Sequence, residues 1–446
     1  MRTFLAPALV ALAASAPAAD TPAPAPVPSL AAPAPSLRLI DLSLVVMTAG
    51  GGSTARNDDL QSLQVGGHDP TRTGFTFQGA ELSLAGAVDP YFTAQAHLAA
   101  SEAHGVELEE AYATTSRLPG GWEVKAGYYL TEFGRTNASH AHAWSWIDRS
   151  LPAGRLLGGE GMRGSGVHAD WVAPTDTYLR LGMGLQNADD PTMTSFLGGE
   201  GHDHEDGDEE AHGLGGLEPV EFEPRHGRDF LWSARAVTAY DLASDVTLQG
   251  GLSAALGPQA SGPAARTVLA GADVTLRART GTGDAGAGDL LIGLDAILRE
   301  VRLDRRSWDT WDGVSPEDAP VGTGTLLEAG GTTLRDQGVA VEATYGVAPR
   351  WTVGVRGEWL RGRGDNWHVD ELSEDIATSV EEEDRNDDAT RSDRTRIAPL
   401  ILFQPSEFTK LRLQYAYDRA AHLEDPVHSV WVGLEVLIGA HPAHGF

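Results

Sequence analysis

Three stretches of this 446-residue chain gather side chains that can do chemistry. One holds His202, Asp203, His204, Glu205 and His212 among Asp206, Asp208, Glu209 and Glu210. Imidazole and carboxylate are ligands for zinc, nickel, copper or cobalt, and His-rich tracts are a compositional metal signal. A glycine-flanked, highly charged segment suits weak capture of a divalent ion such as zinc, not a closed structural site. The competing expectation is a loop tip whose charges simply stay hydrated. No other cofactor is expected.

The stretch 134–164 carries Arg135, Asn137, His140, His142, Trp144, Trp146, Asp148, Arg149, Arg155 and Glu160. Charged groups on a segment folded into a pore would narrow it and set its local field. The alternative is a loop that caps the molecule or packs on a neighbouring subunit. His140 and His142 point together if their piece is extended, but no carboxylate is adjacent in sequence, which argues against a metal there. The stretch 362–394 holds twelve acidic residues, among them Glu381, Glu382, Glu383, Asp384, Asp387 and Asp388. Such a run stays solvated or attracts cations. At a pore mouth it would disfavour anions, within the screening length of about 8 Å at physiological salt.

The elements that must position these stretches are strands. Leu179, Leu181, Met183 and Leu185 alternate with Arg180, Gly182, Gly184 and Gln186. Trp351, Val353, Val355 and Trp359 alternate with Thr352, Gly354, Arg356 and Glu358. Leu411, Leu413, Tyr415 and Tyr417 alternate with Lys410, Arg412, Gln414 and Asp418, and Glu435 lies opposite Val430 to Ile438. Successive strand side chains point to opposite faces, so each segment has an apolar and a polar side. A soluble sandwich would alternate too. Length, charged polar faces and aromatic residues near strand ends (Trp122, Phe230, Trp351, Trp359) favour a barrel in lipid around a wet lumen.

The predicted strands are 37–48, 74–87, 91–101, 106–116, 122–133, 165–173, 177–187, 229–241, 245–256, 267–280, 289–302, 336–346, 350–361, 395–404, 408–420 and 428–439. The expected fold is all-β, a transmembrane antiparallel β-barrel of about sixteen strands. Fourteen or eighteen would follow from one miscounted hairpin. Short turns and long connections (49–73, 134–164, 188–228, 303–335, 362–394) then fall at opposite ends, as outer-membrane barrels require. The expected lumen wall includes Arg180, Asp273, Arg277, Arg356, Glu358, Lys410, Arg412, Asp418 and Glu435.

Composition narrows the function. The net charge of −30 repels nucleic acid, and the absence of Cys removes disulfides and thiolate chemistry. No enzyme is expected: no nucleophile motif is ordered, and no Lys follows Gly158-Gly159-Glu160-Gly161 to make a phosphate loop. Residues 1–19 read as a signal peptide, 20–36 as a Pro/Ala-rich tether, and 37–446 as the barrel. The acidic charge concentrates in 188–228 and 362–394, which hold twelve acidic residues each.

The run Gly105-Val106-Glu107-Leu108-Glu109-Glu110-Ala111-Tyr112 carries a family resemblance, together with Phe133-Gly134-Arg135, Asp148-Arg149-Ser150-Leu151 and Leu157-Gly158-Gly159-Glu160-Gly161-Met162-Arg163-Gly164. On these residues the chain resembles sixteen-stranded bacterial porins of the general or phosphate-selective type, some of whose look-alikes are labelled zinc-regulated outer-membrane receptors. The resemblance covers 74–186 by motif and the rest by pattern. It implies a third loop folded into the barrel and passive passage of small hydrophilic solutes or ions. It also implies a Gram-negative outer membrane with its lipid as partner, and often a homotrimer. Phosphate selectivity does not carry over, because Arg135, Arg149, Arg155 and Arg163 are spread out with no Lys cluster. The alternatives are a non-conducting structural or adhesive barrel and a metal-uptake receptor.

Overall fold

The computed structural model describes residues 40–102, 105–198, 213–220, 223–281, 284–311, 321–373 and 375–439. The expected signal peptide, the tether and the metal-capture residues His202, Asp203, His204, Glu205 and His212 lie outside them.

The wall begins with β1 (Asp41–Ser53), β2 (Gly74–Ala87), β3 (Phe92–Ser101), β4 (Gly105–Thr115), β5 (Trp122–Leu130), β6 (Arg163–Val172), β7 (Tyr178–Gln186) and β8 (Leu231–Ala243). It continues with β9 (Val246–Pro258), β10 (Arg266–Arg279) and β11 (Asp289–Arg302). The chain then leaves the wall for β12 (Arg305–Trp311) and β13 (Gly322–Gly330), and returns as β14 (Thr333–Ala348) and β15 (Trp351–Arg363). A second excursion makes β16 (Asn366–Ser373) and β17 (Ile376–Glu383) before β18 (Arg394–Ser406), β19 (Thr409–Ala420) and β20 (Val427–Gly439). Sixteen of these strands pair antiparallel into a closed barrel, sealed where β1 runs against β20 from Ser43–Gly439 to Ser53–Ser429. Closure leaves no unpaired sheet edge, which lipid would not tolerate.

Burial runs inside out. On β20, Val430, Val432 and Ile438 are 46%, 52% and 62% exposed, while Trp431 and Glu435 are 1% and 4% exposed. The same holds on β15, where Val353 and Val355 face outward and Arg356 and Glu358 are buried. A water-soluble fold does the opposite. Here the apolar face meets lipid and the charged face meets the interior. Exposed aromatic residues mark both rims of this band: Trp122, Tyr178 and Trp351 at the short-turn end, Phe75, Trp232 and Trp359 near the other.

Two expected loops contain structure. β12, β13, β16 and β17 form a separate four-stranded sheet in the order β13-β12-β17-β16, built from the excursions at 303–332 and 364–393. Trp308, Ala329 and Ala377 of this sheet close on Leu217, Val301, Leu303 and Leu334 in one apolar cluster. The acidic run at 362–394 is therefore partly a folded sheet and not simply a solvated loop. Asp370 and Glu381 lie on the face turned away from that cluster, whereas Glu371 is half-buried 4.0 Å from Arg306.

Candidate functional site

The segment between β5 and β6 lies inside the barrel. Gly134 N donates to Ser253 Oγ of β9 at 3.0 Å, and Arg135 pairs with Asp295 of β11 and Glu342 of β14 at 2.7 and 2.6 Å. Ile147 N donates to Gln414 of β19 at 2.9 Å, and its carbonyl accepts from Gln78 of β2 at 2.8 Å. Leu151 N donates to Glu358 of β15 at 2.7 Å. Only a chain that crosses the interior reaches inward side chains on so many walls. A short helix, α1 (Asn57–Leu63), covers the end of this interior beside β19 and β20.

Local sequence explains the route. The β4–β5 ladder spans only Ala111–Tyr128 to Thr114–Lys125. At its upper end Gly127 takes φ +142°, where a Cβ would stand 2.3 Å from the Ala111 carbonyl oxygen. Beyond it the chain is free to turn inward, and Leu130 N donates to Glu110 at 2.7 Å. The segment then winds into α2 (Leu151–Leu157), capped by Ser150, with Pro152 in its first turn. Leu151, Leu156 and Leu157 pack with Phe133, Met193 and Phe196 against inward Leu231, Leu269, Ile297 and Leu360. Part of the interior is thus a dry core.

A second contact set is ionic. Asp148 is 3% exposed and pairs with Arg356 and with Arg396, the latter at 3.0 Å. Glu358 accepts from Arg396 at 2.6 Å and sits 3.0 Å from Arg356 Nε. Arg394 pairs with Asp418 at 2.6 Å, and Glu435 with Arg412 at 2.6 Å and Lys410 at 2.9 Å. Lys410 and Arg412 also donate to the carbonyls of His142 and Trp144. Buried charges persist only when paired and hydrogen-bonded, so the wall and the inner segment hold each other.

The predicted wall residues sort accordingly. Asp273 is buried against Arg235 at 2.8 Å. Arg180 stands 3.6 Å from Asp170 and 3.8 Å from Glu132. Arg277 shares the inward face of Asp273 but is exposed, near the short-turn end of β10. Of the predicted inner-segment residues, Asn137 is fully buried and donates to the Thr131 and Met162 carbonyls at 2.8 and 3.0 Å. Arg149 is buried with its guanidinium 5.3 Å from the Trp144 ring, Arg155 donates to the Ser392 and Ala389 carbonyls, and Glu160 pairs with His68 at 3.3 Å. Charged groups that keep contact with water include Arg135, Arg180, Lys125 and Glu132, whose side chains are 21%, 30%, 16% and 17% exposed. Lys125 and Glu132 were not expected from the sequence, although both flank the inward turn.

His140 and His142 lie in different company from that expected. Carboxylates do surround them, supplied by the wall rather than by sequence neighbours. His140 Nε2 is 2.9 Å from Glu110, and its Nδ1 is 3.1 Å from Glu109 and 3.4 Å from Glu81. His142 Nδ1 is 2.9 Å from Glu81, whose other oxygen is 3.0 Å from His97 Nδ1. A bulge builds this cluster. In the β3–β4 ladder His97 faces Glu110 and Leu98 faces Leu108, so Glu109 is the extra residue. Glu109 and Glu110 are consequently both turned inward, each 5% exposed. The sequence signal is two adjacent acidic residues inside an otherwise alternating strand. Glu81, His97 and His140 bring ligand atoms within 4.8 Å of one another.

No family model matches the chain. A protein of Aquifex aeolicus (strain VF5), described as uncharacterized, is 37% identical over 155 residues, which is 32% of this chain and 33% of that relative's length. Among solved structures, the outer-membrane channel DcaP of Acinetobacter baumannii superposes with a TM-score of 0.52 at 12% identity, covering 90% of this chain and 97% of that one. The anion-selective porin of Comamonas acidovorans gives 0.48 at 11% identity, with 90% and 99% covered. The first of these similarities agrees with the closed-barrel fold.

Proposed function

We propose that this chain is a porin of a Gram-negative outer membrane, passing small hydrophilic solutes or ions by diffusion past the segment 134–162. One observation carries the reading: a charged segment crosses the lumen and is bound to several walls, yet leaves Lys125, Glu132, Arg135 and Arg180 wet beside it. Fixed charges of both signs at a narrowing are how a pore discriminates among ions. We place the constriction at Arg135, His140, His142 and Glu160 against the wall. Asn137, Trp144, Asp148, Arg149 and Arg155 anchor it.

Cation preference follows from the outer sheet. Its acidic strands β16 and β17 lie at the long-connection end, the expected pore mouth. Asp370 is held below the ordinary carboxylate range by hydrogen bonds from Ser379 and His368, so it stays charged. The purified protein in a planar bilayer tests both statements. Stepwise channel insertions are expected, with a reversal potential in a salt gradient of the sign for cations. A silent bilayer would favour a structural barrel, a reading to which the dry core around Leu151, Leu156 and Phe196 lends weight.

A further inference from the structure

We propose that the lumen contains a divalent transition-metal site, formed by Glu81 of β2, His97 of β3 and His140 of the inner segment, with Glu109 and His142 completing it. Four observations point to it, and none depends on conductance.

Spacing is the first. The edge of a tetrahedron with metal bonds of about 2.0–2.1 Å is about 3.3 Å. Glu81 to His97, His140 to Glu109 and His140 to Glu81 measure 3.0, 3.1 and 3.4 Å. The first and third run through different oxygens of Glu81, and one ligand atom each from Glu81, His97 and His140 lies within 4.8 Å of the others, so a small closure would complete the set. The His97 and His140 rings lie with centroids 4.5 Å apart.

Orientation is the second. His140 Nε2 is 2.9 Å from Glu110, which also accepts from Leu130 N at 2.7 Å. With a metal at Nδ1, the Glu110 carboxylate would hold the remaining proton on Nε2, as metal-binding histidines need. His140 Nδ1 is buried and makes no well-directed hydrogen bond. Ser83 Oγ steadies the pair opposite, at 2.8 Å from Glu81 and 2.9 Å from His97.

Charge is the third. Among the described residues, Glu81, Glu109 and Glu110 meet histidines at ion-pair distance and not Lys or Arg. The other buried lumen carboxylates nearby in type, such as Asp148, Glu358 and Glu435, are met by arginine. Three carboxylates beside imidazoles make a site whose negative charge a divalent cation would largely offset. Imidazole nitrogen selects zinc, cobalt, nickel or copper over calcium or magnesium.

Backbone is the fourth. The bulge at Glu109 departs from the regular ladder to turn a second carboxylate toward His140. Bulges that re-aim a side chain are common beside functional sites. A bound ion would tie the inner segment to β2 and β3, so it would stiffen the constriction as well as occupy it.

The test uses the full chain, folded in detergent and stripped with chelator, then loaded with zinc chloride or cobalt chloride and dialysed. The expected result is one retained ion per chain by elemental analysis. Cobalt should give the strong visible absorption of a four- or five-coordinate nitrogen–oxygen site. His97→Gln and His140→Gln should each weaken retention by about tenfold or more. The combined His202→Ser, His204→Ser and His212→Ser variant should leave it unchanged. Should a glutamine variant fail to fold, as judged by heat-modifiable gel mobility, the cobalt spectrum of the variant lacking His202, His204 and His212 still decides. Overturning results are no retained ion in the wild type, or an ion lost with His202, His204 and His212 and kept in His97→Gln.

Discussion

Asp148 sits between two arginines of the opposite wall, all three nearly sealed from water. Removing its charge leaves Arg356 and Arg396 with Glu358 alone, so Asp148→Asn should cost about 3 kcal/mol, the scale of a broken buried pair. The control is the exposed Arg335–Glu300 pair at 3.1 Å, where Arg335→Ala should cost under about 1 kcal/mol. Denaturant midpoints of the folded protein in detergent check both, and similar shifts for the two variants would refute the anchoring role. His422 gives a pH dependence. Burial, with Arg155 and Arg394 nearby, pushes it down from 6.5 to about 4, and it bridges Ser392 and Ser62 at 2.7 and 3.1 Å. A base with a lowered folded pKa is protonated first in the unfolded chain. Stability should therefore fall as pH drops from 6.5 toward 4, and His422→Gln should flatten that slope in thermal melts.

At the scale of elements, the wall strands were legible because each spans lipid and must alternate along its whole length. β2 and β11 fall on the expected residues, and the others shift at their ends. The outer sheet was not legible. Its strands are seven to nine residues long, and their charges resemble a solvated loop. Its apolar positions, Trp308, Trp367 and Val369, are visible only once Leu217 and Leu303 are seen to cover them. The histidine cluster was half legible. His140 and His142 stood out, but Glu81 lies 61 residues from His142, and only the register of β2 to β4 brings them together. Trp308 is 1% exposed, so Trp308→Ala should cost about 3–5 kcal/mol within that sheet. Limited proteolysis should then cut within 303–332 while the barrel stays heat-modifiable. Cutting no faster than in the wild type would mean the sheet is not held by this cluster.

At the scale of the whole molecule, the net charge of −30 is unevenly placed. The lumen pairs its carboxylates with arginine or histidine, whereas the outer sheet leaves Asp370 and Glu381 to Glu383 in water. Removing the acidic side chains of β17 should move the reversal potential toward zero without stopping current, and an unchanged potential would locate selectivity in the lumen. The central claim is that current flows past the inner segment along its wet side. The chain has no cysteine, so single cysteines report without background. Arg135→Cys and Arg180→Cys should lose current on reaction with a bulky charged methanethiosulfonate, whereas Leu400→Cys, 2% exposed beneath Trp146, should not respond. Current that ignores modification at both arginine positions, or no current at all, would contradict the account.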